Sequence, residues 1–335
     1  MPSQDVTKIR NLVLVSILLA LVVVTLGAYT RLTHAGLGCP DWPGCYGFID
    51  VPQTSEQIRQ AELAFPERPV EPEKAWNEMI HRYFAGALGL FILVISLLSV
   101  KYRRLGVPVY LPLALLALVI FQAALGMWTV TMKLMPVVVM GHLLGGITTL
   151  CLLFLLYLRL KPYRIPSGDW PIKKYWSYGL LGVVILTAQI GLGGWTSSNY
   201  AALVCTELPI CQDGWLARLT FEDSFDLVPP ERETYEFGHL DHNERLTIHV
   251  MHRFGAIVTA LYLAWLALVI YRKAQSQFFK KTALALGGIL ICQLALGVSN
   301  IWFSLPLGVA VSHNVVAACL MLMLITLTYS LKRKI

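Results

Sequence analysis

The chain has 335 residues, of which 56% are apolar and only 14% charged, and its mean hydropathy is +0.62. This composition excludes an ordinary soluble globular protein. The net charge of +7 does not indicate a nucleic-acid partner either, because the basic residues lie in short loops between apolar segments rather than in a separate basic domain.

Eight apolar segments are long enough to span a lipid bilayer as helices. They cover residues 12–29, 79–100, 109–131, 136–158, 176–195, 248–271, 282–303 and 308–330. They lack the alternation of a membrane β-strand, so the predicted fold class is an all-α membrane protein. The first segment has features of a cleaved signal peptide, but its length and its place in a sequence repeat favour an uncleaved helix.

Acidic and basic residues are divided between different loops. Two long loops, at about 30–77 and 196–247, hold 17 of the 20 acidic residues but only seven of the 27 basic ones. The remaining loops are short and basic, and basic loops stay in the cytoplasm. The pattern predicts a multi-pass membrane protein with both termini cytoplasmic and the long loops on the outer side, which in a bacterial inner membrane is the periplasmic side.

The chain repeats itself at an offset of 171 residues. Each half has four predicted helices, an even number, so both halves should insert in the same orientation, related by a pseudo-two-fold axis along the membrane normal. We predict an N-terminal four-helix half at 1–160, a cytoplasmic linker at 161–174 and a C-terminal four-helix half at 175–335. The offset matches His81 with His252, Gln122–Gly126 with Gln293–Gly297, and His142 with His313.

The four repeated histidines are predicted to lie at similar depth, in the first two turns of the second, fourth, sixth and eighth helices. Facing imidazoles on neighbouring helices can supply the two axial ligands of a haem iron. The alternatives are core histidines with hydrogen-bond partners, and zinc, for which the sequence offers no compact third and fourth ligand. Small residues that would leave room for a flat macrocycle follow the histidines, at Ala85-Gly86, Gly145-Gly146, Gly255-Ala256 and Ala317-Ala318.

Four further histidines do not take part in this repeat. His249 lies three residues before His252, and the sequence does not exclude it as a ligand. His34, His239 and His242 lie in polar loops and are predicted to be solvated.

Two cysteine pairs lie in the long outer loops, Cys39 with Cys45 and Cys205 with Cys211. Their close spacing in Pro- and Gly-rich loops on the oxidising side predicts one disulfide per pair. A structural role and a redox role both stay open. The other three cysteines lie within apolar segments and are interpreted as small apolar residues; they are Cys151, Cys292 and Cys319.

The two halves differ three residues before their first repeated histidine, where the first half has Glu78 and the second has His249. Residues at i and i+3 share a helix face, so Glu78 is a candidate general base or a stabiliser of developing positive charge. The alternative is an acidic residue that complements the helix dipole. The difference predicts chemistry in the first half and an electron-transfer haem in the second. Arg82 and Arg253 are candidate contacts for haem propionates.

Together these residues resemble the haem A synthase family, from Gly27 to about Ala318. The resemblance implies a membrane oxidoreductase that oxidises the C8 methyl group of haem O to a formyl group, by successive hydroxylation, to give haem A for cytochrome c oxidase. The matching pattern is Glu78-x-x-His81-Arg82, His142, His252-Arg253, His313, Cys39/Cys45 and Cys205/Cys211.

The resemblance also implies roles for individual residues. Haem b would be a cofactor, its iron held by His252 and His313. The substrate haem O would lie at His81 and His142, with Glu78 catalytic and the first cysteine pair important for activity.

The partners that the resemblance implies are haem O synthase, a farnesyltransferase, and the cytochrome c oxidase assembly machinery. An electron acceptor or donor is also required, which the sequence does not identify, and homo-oligomerisation stays open. Two other functions remain as alternatives: a di-haem cytochrome b that transfers electrons without an organic substrate, and a haem carrier.

Overall fold

The computed structural model describes residues 4–161, 169–209 and 211–333. These residues form nine α-helices and, apart from one isolated β-bridge, no strand. Residues 162–168 of the predicted linker lie outside the described residues. The helices are α1 (Gln4–Leu32), α2 (Ser55–Ala64), α3 (Pro72–Lys101), α4 (Tyr110–Thr131), α5 (Pro136–Leu160), α6 (Trp176–Ser198), α7 (His242–Lys273), α8 (Gln277–Trp302) and α9 (Leu307–Lys332).

Every helix except α2 is long and apolar enough to cross a membrane. Their outward faces carry large apolar side chains such as Leu90, Leu261 and Ile291, which are 66%, 68% and 70% exposed. In a bilayer these side chains contact lipid rather than water, so their exposure at the protein surface does not cost free energy of hydration. The predicted fold class, an all-α membrane protein with eight spanning helices, is confirmed.

Two of the spanning helices begin several residues before their apolar runs. Helix α3 has Pro72 in its first turn, where its missing N–H is not needed, and α7 begins with a capping box between Asp241 and Glu244. Because of these polar extensions, His81 and His252 lie in about the third turn of their helices, not in the first two as predicted.

The chain divides into two compact units. The first comprises Met1–Tyr157 together with Leu227–His239, and the second comprises Leu158–Asp226 together with Leu240–Ile335. In the first unit α3 packs against α1 and α4, and in the second α7 packs against α6 and α8 while α9 packs against α6 and α8.

A segment of the second long loop, Leu227–His239, therefore belongs to the first unit, which the sequence-based division did not anticipate. We refer to this segment as the strap. Its contacts with the first unit include a 2.8 Å salt bridge between Glu236 and Arg68 and a bond from the Tyr235 N–H to the Lys133 carbonyl at 3.0 Å. The ring of Phe237 also packs against that of His34, with centroids 5.5 Å apart.

The sequence repeat has a counterpart in the backbone of each unit. The chain leaves α1 through His34 and leaves α6 through Tyr200, and both residues have a φ of 53°. Leu134 after α4 and Leu305 after α8 likewise have φ values of 65° and 63°. Such left-handed residues end a helix abruptly, so the same turns bring each following helix back against its neighbour.

Candidate functional site

The first pair of repeated histidines is brought together in the first unit. The rings of His81 on α3 and His142 on α5 have centroids 6.3 Å apart and planes at 88°. When two imidazoles bind one metal ion from opposite sides, their ring centroids lie about 6 Å apart. This separation is the sum of two metal–nitrogen bonds of about 2.0 Å and the centroid-to-nitrogen distance of each ring. The spacing of this pair therefore fits two imidazoles on opposite sides of one iron.

Each of the four repeated histidines packs against a glycine on the preceding spanning helix. A Cβ added to any of these glycines would lie 3.0–3.4 Å from the Cε1 atom of the ring, which is tighter than most contacts at three of them and at the limit of ordinary contact at Gly126. The glycine therefore lets the imidazole lie against the helix backbone. The four contacts are His81 on Gly27, His142 on Gly126, His252 on Gly193 and His313 on Gly297.

In the sequence, Gly126 and Gly297 recur at the histidines' offset of 171, whereas Gly27 and Gly193 recur at an offset of 166. This recurrence was the signal that could have connected the glycines with the histidines. Of the small residues that follow the histidines, Gly86 and Gly146 border open space. By contrast, Gly145 and Gly255 accommodate the side chains of Gln122 and Gln189.

The second pair lies in the second unit. His252 and His313 are close enough to interact electrostatically. The side-chain amide of Gln189 lies 3.0 Å from Nδ1 of His252, and that of Gln293 lies 3.3 Å from both ring nitrogens of His313. Throughout residues 4–161, 169–209 and 211–333, no three His, Cys, Asp or Glu side chains cluster as metal ligands. Each pair thus offers two imidazoles, which suits a haem because the macrocycle supplies the other four ligands.

Glu78 lies on α3 near His81 and is only 5% exposed. One carboxylate oxygen accepts a hydrogen bond from the Cys39 N–H at 2.9 Å, and the other accepts one from Nη2 of Arg82 at 2.5 Å. The acidic residue in the first turn of α3 is Glu73, so compensation of the helix dipole does not describe Glu78. A buried carboxylate needs such partners, and their arrangement fixes its orientation.

The arginines that follow the first histidine of each pair are directed at the disulfide loops. Arg82 donates to the carbonyls of Asp41 at 3.0 Å and Gly44 at 2.6 Å. Arg253 donates to the carbonyls of Cys205 at 2.5 Å and Glu207 at 2.7 Å. Each guanidinium group thus holds a disulfide loop to the helix that carries a histidine. Their contact with haem propionates stays a prediction.

Both predicted disulfides, Cys39–Cys45 and Cys205–Cys211, are present. All four cysteines are buried, the first pair beside Ala75 and Met79 of α3. Because Glu78 is bonded to the Cys39 N–H, the first disulfide loop is part of the surroundings of the candidate catalytic carboxylate.

Comparison with known proteins identifies the family of this chain. A family model described as "Cytochrome oxidase assembly protein" (COX15-CtaA) matches residues 10–325. The chain belongs to this family. It is therefore a multi-pass membrane protein with a role in cytochrome oxidase assembly.

Several relatives of this family member carry the name heme A synthase. One from Shewanella oneidensis is 51% identical over 320 residues, which cover 96% of both chains. One from Chelativorans sp. is 27% identical and covers 92% of this chain and 88% of its own. One from Allorhizobium ampelinum is 26% identical and covers 89% of this chain and 83% of its own.

The remaining histidines of this COX15-CtaA protein include His249, which lies close to His252 on α7. His249 is only 4% exposed, and its Nδ1 lies 2.8 Å from the carbonyl of Ala201, so the backbone satisfies it. His34 and His242 are exposed, and His239 is half-buried with its ring 5.4 Å from that of Tyr235. The helical cysteines are free thiols at Cys151, Cys292 and Cys319.

Proposed function

We propose that this protein is a haem A synthase that oxidises the C8 methyl group of haem O to a formyl group, giving haem A for cytochrome c oxidase. The observation that carries the proposal is a difference between two otherwise matching sites. Both units support two imidazoles on glycines, but among the described residues the first unit alone has a buried carboxylate, Glu78, one helical turn from a repeated histidine. The names of relatives that span the whole chain support the same conclusion.

The two sites then have different occupants. The substrate haem O is ligated by His81 and His142, whose ring spacing suits one iron between them. The iron of haem b is ligated by His252 and His313. When bound, haem b supplies a one-electron path for the electrons that leave the substrate.

Glu78 manages protons at the first site. Two successive hydroxylations convert the methyl group into a geminal diol, which loses water to become the formyl group. With water as the source of the oxygen, each hydroxylation is a two-electron oxidation that replaces a C–H bond by a C–O bond and releases two protons, one from the carbon and one from the water. Glu78 accepts one of these protons as a general base and the other passes to solvent, while Arg82 and the Cys39 N–H hold the Glu78 carboxylate in position. The electrons pass to an acceptor whose identity the chain does not reveal.

The same proposal includes an orientation and partners. Both termini are cytoplasmic, and the acidic long loops and the histidine pairs lie toward the periplasmic side, as the charge distribution favours. Haem O synthase supplies the substrate, and the cytochrome c oxidase assembly machinery receives the product.

The direct test is extraction and chromatography of haem from membranes of cells that contain haem O synthase, with and without this protein. We expect haem A only when the chain is present. His142→Ala should abolish haem A and leave haem b bound, whereas His313→Ala should remove haem b as well as haem A production. Unchanged haem O in a folded, haem-loaded sample with its redox partners present would contradict the proposal.

A di-haem cytochrome b is the second candidate, favoured by the identical glycine supports of the two pairs. It predicts two permanently bound haem b groups and no change in haem O. The same chromatograms decide between the two functions, and release of unmodified haem would indicate a carrier.

A further inference from the structure

The ring of His252 is held by a contact that its counterpart in the first unit lacks. The amide nitrogen of Gln189 lies 3.0 Å from His252 Nδ1 and donates to the His252 carbonyl, also at 3.0 Å. Gln189 precedes Gly193 by one turn of α6, so the glutamine and the glycine that supports the ring share one helix face. Gly255 completes the arrangement, because a Cβ there would overlap the Gln189 amide.

The first unit has the same glycine support but none of the amide contact. The offset of 166 that relates Gly27 to Gly193 places Val23 where the second unit has Gln189, and the offset of 171 places Phe84 where it has Gly255. The backbone of Val23 interacts with the His81 imidazole, but no side-chain amide in the part of the chain that the structure describes contacts it. Among the described residues, His81 Nδ1 is thus buried without a hydrogen-bond partner.

The other glutamines do not account for this difference. Gln122 and Gln293 occupy equivalent positions in the two units, each on the helix that supports the second histidine of its pair. Gln293 lies 3.3 Å from both ring nitrogens of His313, whereas the Gln122 amide nitrogen and His142 Nδ1 are buried without hydrogen-bond partners among the described residues. This second contrast concerns the other histidine of each pair, so it does not explain the difference between His252 and His81. The Gln189–Gly255 combination is present in the second unit only.

The physical effect of such a contact is known for metal ligands in general. A hydrogen bond to the second ring nitrogen of a ligating histidine fixes the ring orientation and the basicity of the ligand, and its loss weakens metal binding by about 10–100-fold. The side-chain amide of a glutamine can present its NH2 donor or, after a 180° rotation of the amide group, its oxygen acceptor. It can therefore hydrogen-bond Nδ1 of a histidine whether or not that nitrogen carries the proton. The Gln189 oxygen is itself buried without a partner in the described structure.

We propose that Gln189 is a positioning residue that locks the His252 imidazole for permanent ligation of haem, and that Val23 and Phe84 leave His81 unlocked so that the first site exchanges its haem. A retained cofactor needs a fixed ligand, because each rotation of the ring away from the iron opens a path to dissociation. A site that admits haem O and releases haem A in every cycle needs the opposite. The inference rests on the proposed function in that both pairs ligate haem.

The test compares the rates at which haem b leaves the full-length protein. Cells without haem O synthase load the protein with haem b, and a His81→Ala background confines that haem to the second pair. Transfer to excess apomyoglobin is then followed by absorbance, and the ferric low-spin EPR spectrum reports the orientation of the axial imidazoles. We expect Gln189→Leu, which keeps the side-chain volume, to release haem about 10–100-fold faster and to shift the EPR g-values.

Thr187→Val is the matched control on the same helix, because the Thr187 hydroxyl bonds only its own helix at the Val183 carbonyl. It should release haem at the parental rate. Equal release rates and unchanged g-values for Gln189→Leu would overturn the proposal.

A reciprocal variant keeps the proposal testable if Gln189→Leu does not fold. Val23→Gln combined with Phe84→Gly installs the second unit's arrangement beside His81. In a His252→Ala background it should slow haem release from the first pair, and an unchanged rate would contradict the proposal.

The outcomes separate this inference from the proposed function. If Gln189→Leu accelerates haem release as expected but no haem A forms in the presence of haem O synthase, only the proposed function is rejected. Normal haem A production with no Gln189 effect on retention or EPR would reject only the positioning role.

Discussion

At the scale of single residues, the Glu78 carboxylate is bound by Arg82 and the Cys39 N–H, so a neutral amide of the same shape should fit in its place. We expect Glu78→Gln to lower haem A formation by about 10²–10⁴-fold, the usual contribution of a general base, while haem b content stays unchanged. Haem extraction with quantification per purified protein measures both quantities.

The control for this variant is Glu71→Gln, which removes a carboxylate paired only with Lys74 at the protein surface. Surface ion pairs contribute little, so this variant should retain activity. Full haem A production by Glu78→Gln would leave Glu78 with a structural role, that of anchoring the first disulfide loop.

At the scale of structural elements, the strap depends on the salt bridge between Arg68 and Glu236, whose carboxylate is largely buried. Arg68→Ala removes the ion-pair partner that this carboxylate has among the described residues, and it should loosen the strap from the first unit. Hydrogen exchange of residues 227–239 should rise, while exchange within α7 stays at the wild-type rate. Arg59→Ala is a suitable control, because Arg59 pairs only with Glu56 on the exposed helix α2. Unchanged protection of the strap would show that its backbone bond and ring stacking suffice.

The strap should also respond to acid through His34, which stacks on Phe237. Burial lowers the pKa of His34 below its usual 6.5, and the Arg31 and Lys74 charges act in the same direction while Glu236 opposes them. Because the folded pKa is lower than the unfolded one, the neutral ring stabilises the contact above pH 6.5. That stabilisation is lost as the pH falls through the folded pKa.

We therefore expect hydrogen exchange of the strap to increase between about pH 7 and pH 5. His34→Phe keeps an aromatic ring without a titrating group and should remove the His34-dependent part of the increase. An identical pH response in that variant would assign the effect to another group, such as Glu236.

At the scale of the whole molecule, each unit contains its own histidine pair, disulfide and arginine. Arg82 holds the Cys39–Cys45 loop and Arg253 holds the Cys205–Cys211 loop, so damage to one loop should affect the site of its own unit. Cys39→Ala with Cys45→Ala should reduce haem A formation and spare haem b. Cys205→Ala with Cys211→Ala should instead accelerate loss of haem b.

Removal of a disulfide commonly costs about 2–5 kcal/mol, enough to disorder a loop of this kind. Chromatography of extracted haem and apomyoglobin transfer measure the two effects. Equal effects of both double variants on both haems would show that the units do not act separately.

The class of the protein was predictable because it depends on composition and local spacing. Long apolar runs specify spanning helices, since no other open structure satisfies backbone hydrogen bonds in lipid. The repeat and the paired histidines were visible for the same reason, as were Glu78 and both cysteine pairs. Family membership, matched over residues 10–325, agrees with the resemblance that these residues carry.

Contacts between distant parts of the chain required the tertiary structure. The bond from the Cys39 N–H to Glu78 joins residues 39 positions apart, and that from Gln189 to His252 joins residues 63 apart. The salt bridge between Arg68 and Glu236 joins residues 168 positions apart. No local pattern encodes such pairs, because each depends on which helix faces meet after folding. The helices and the four histidines could therefore be predicted from the sequence, whereas packing in the tertiary structure decided the orientation of each imidazole and the attachment of the strap.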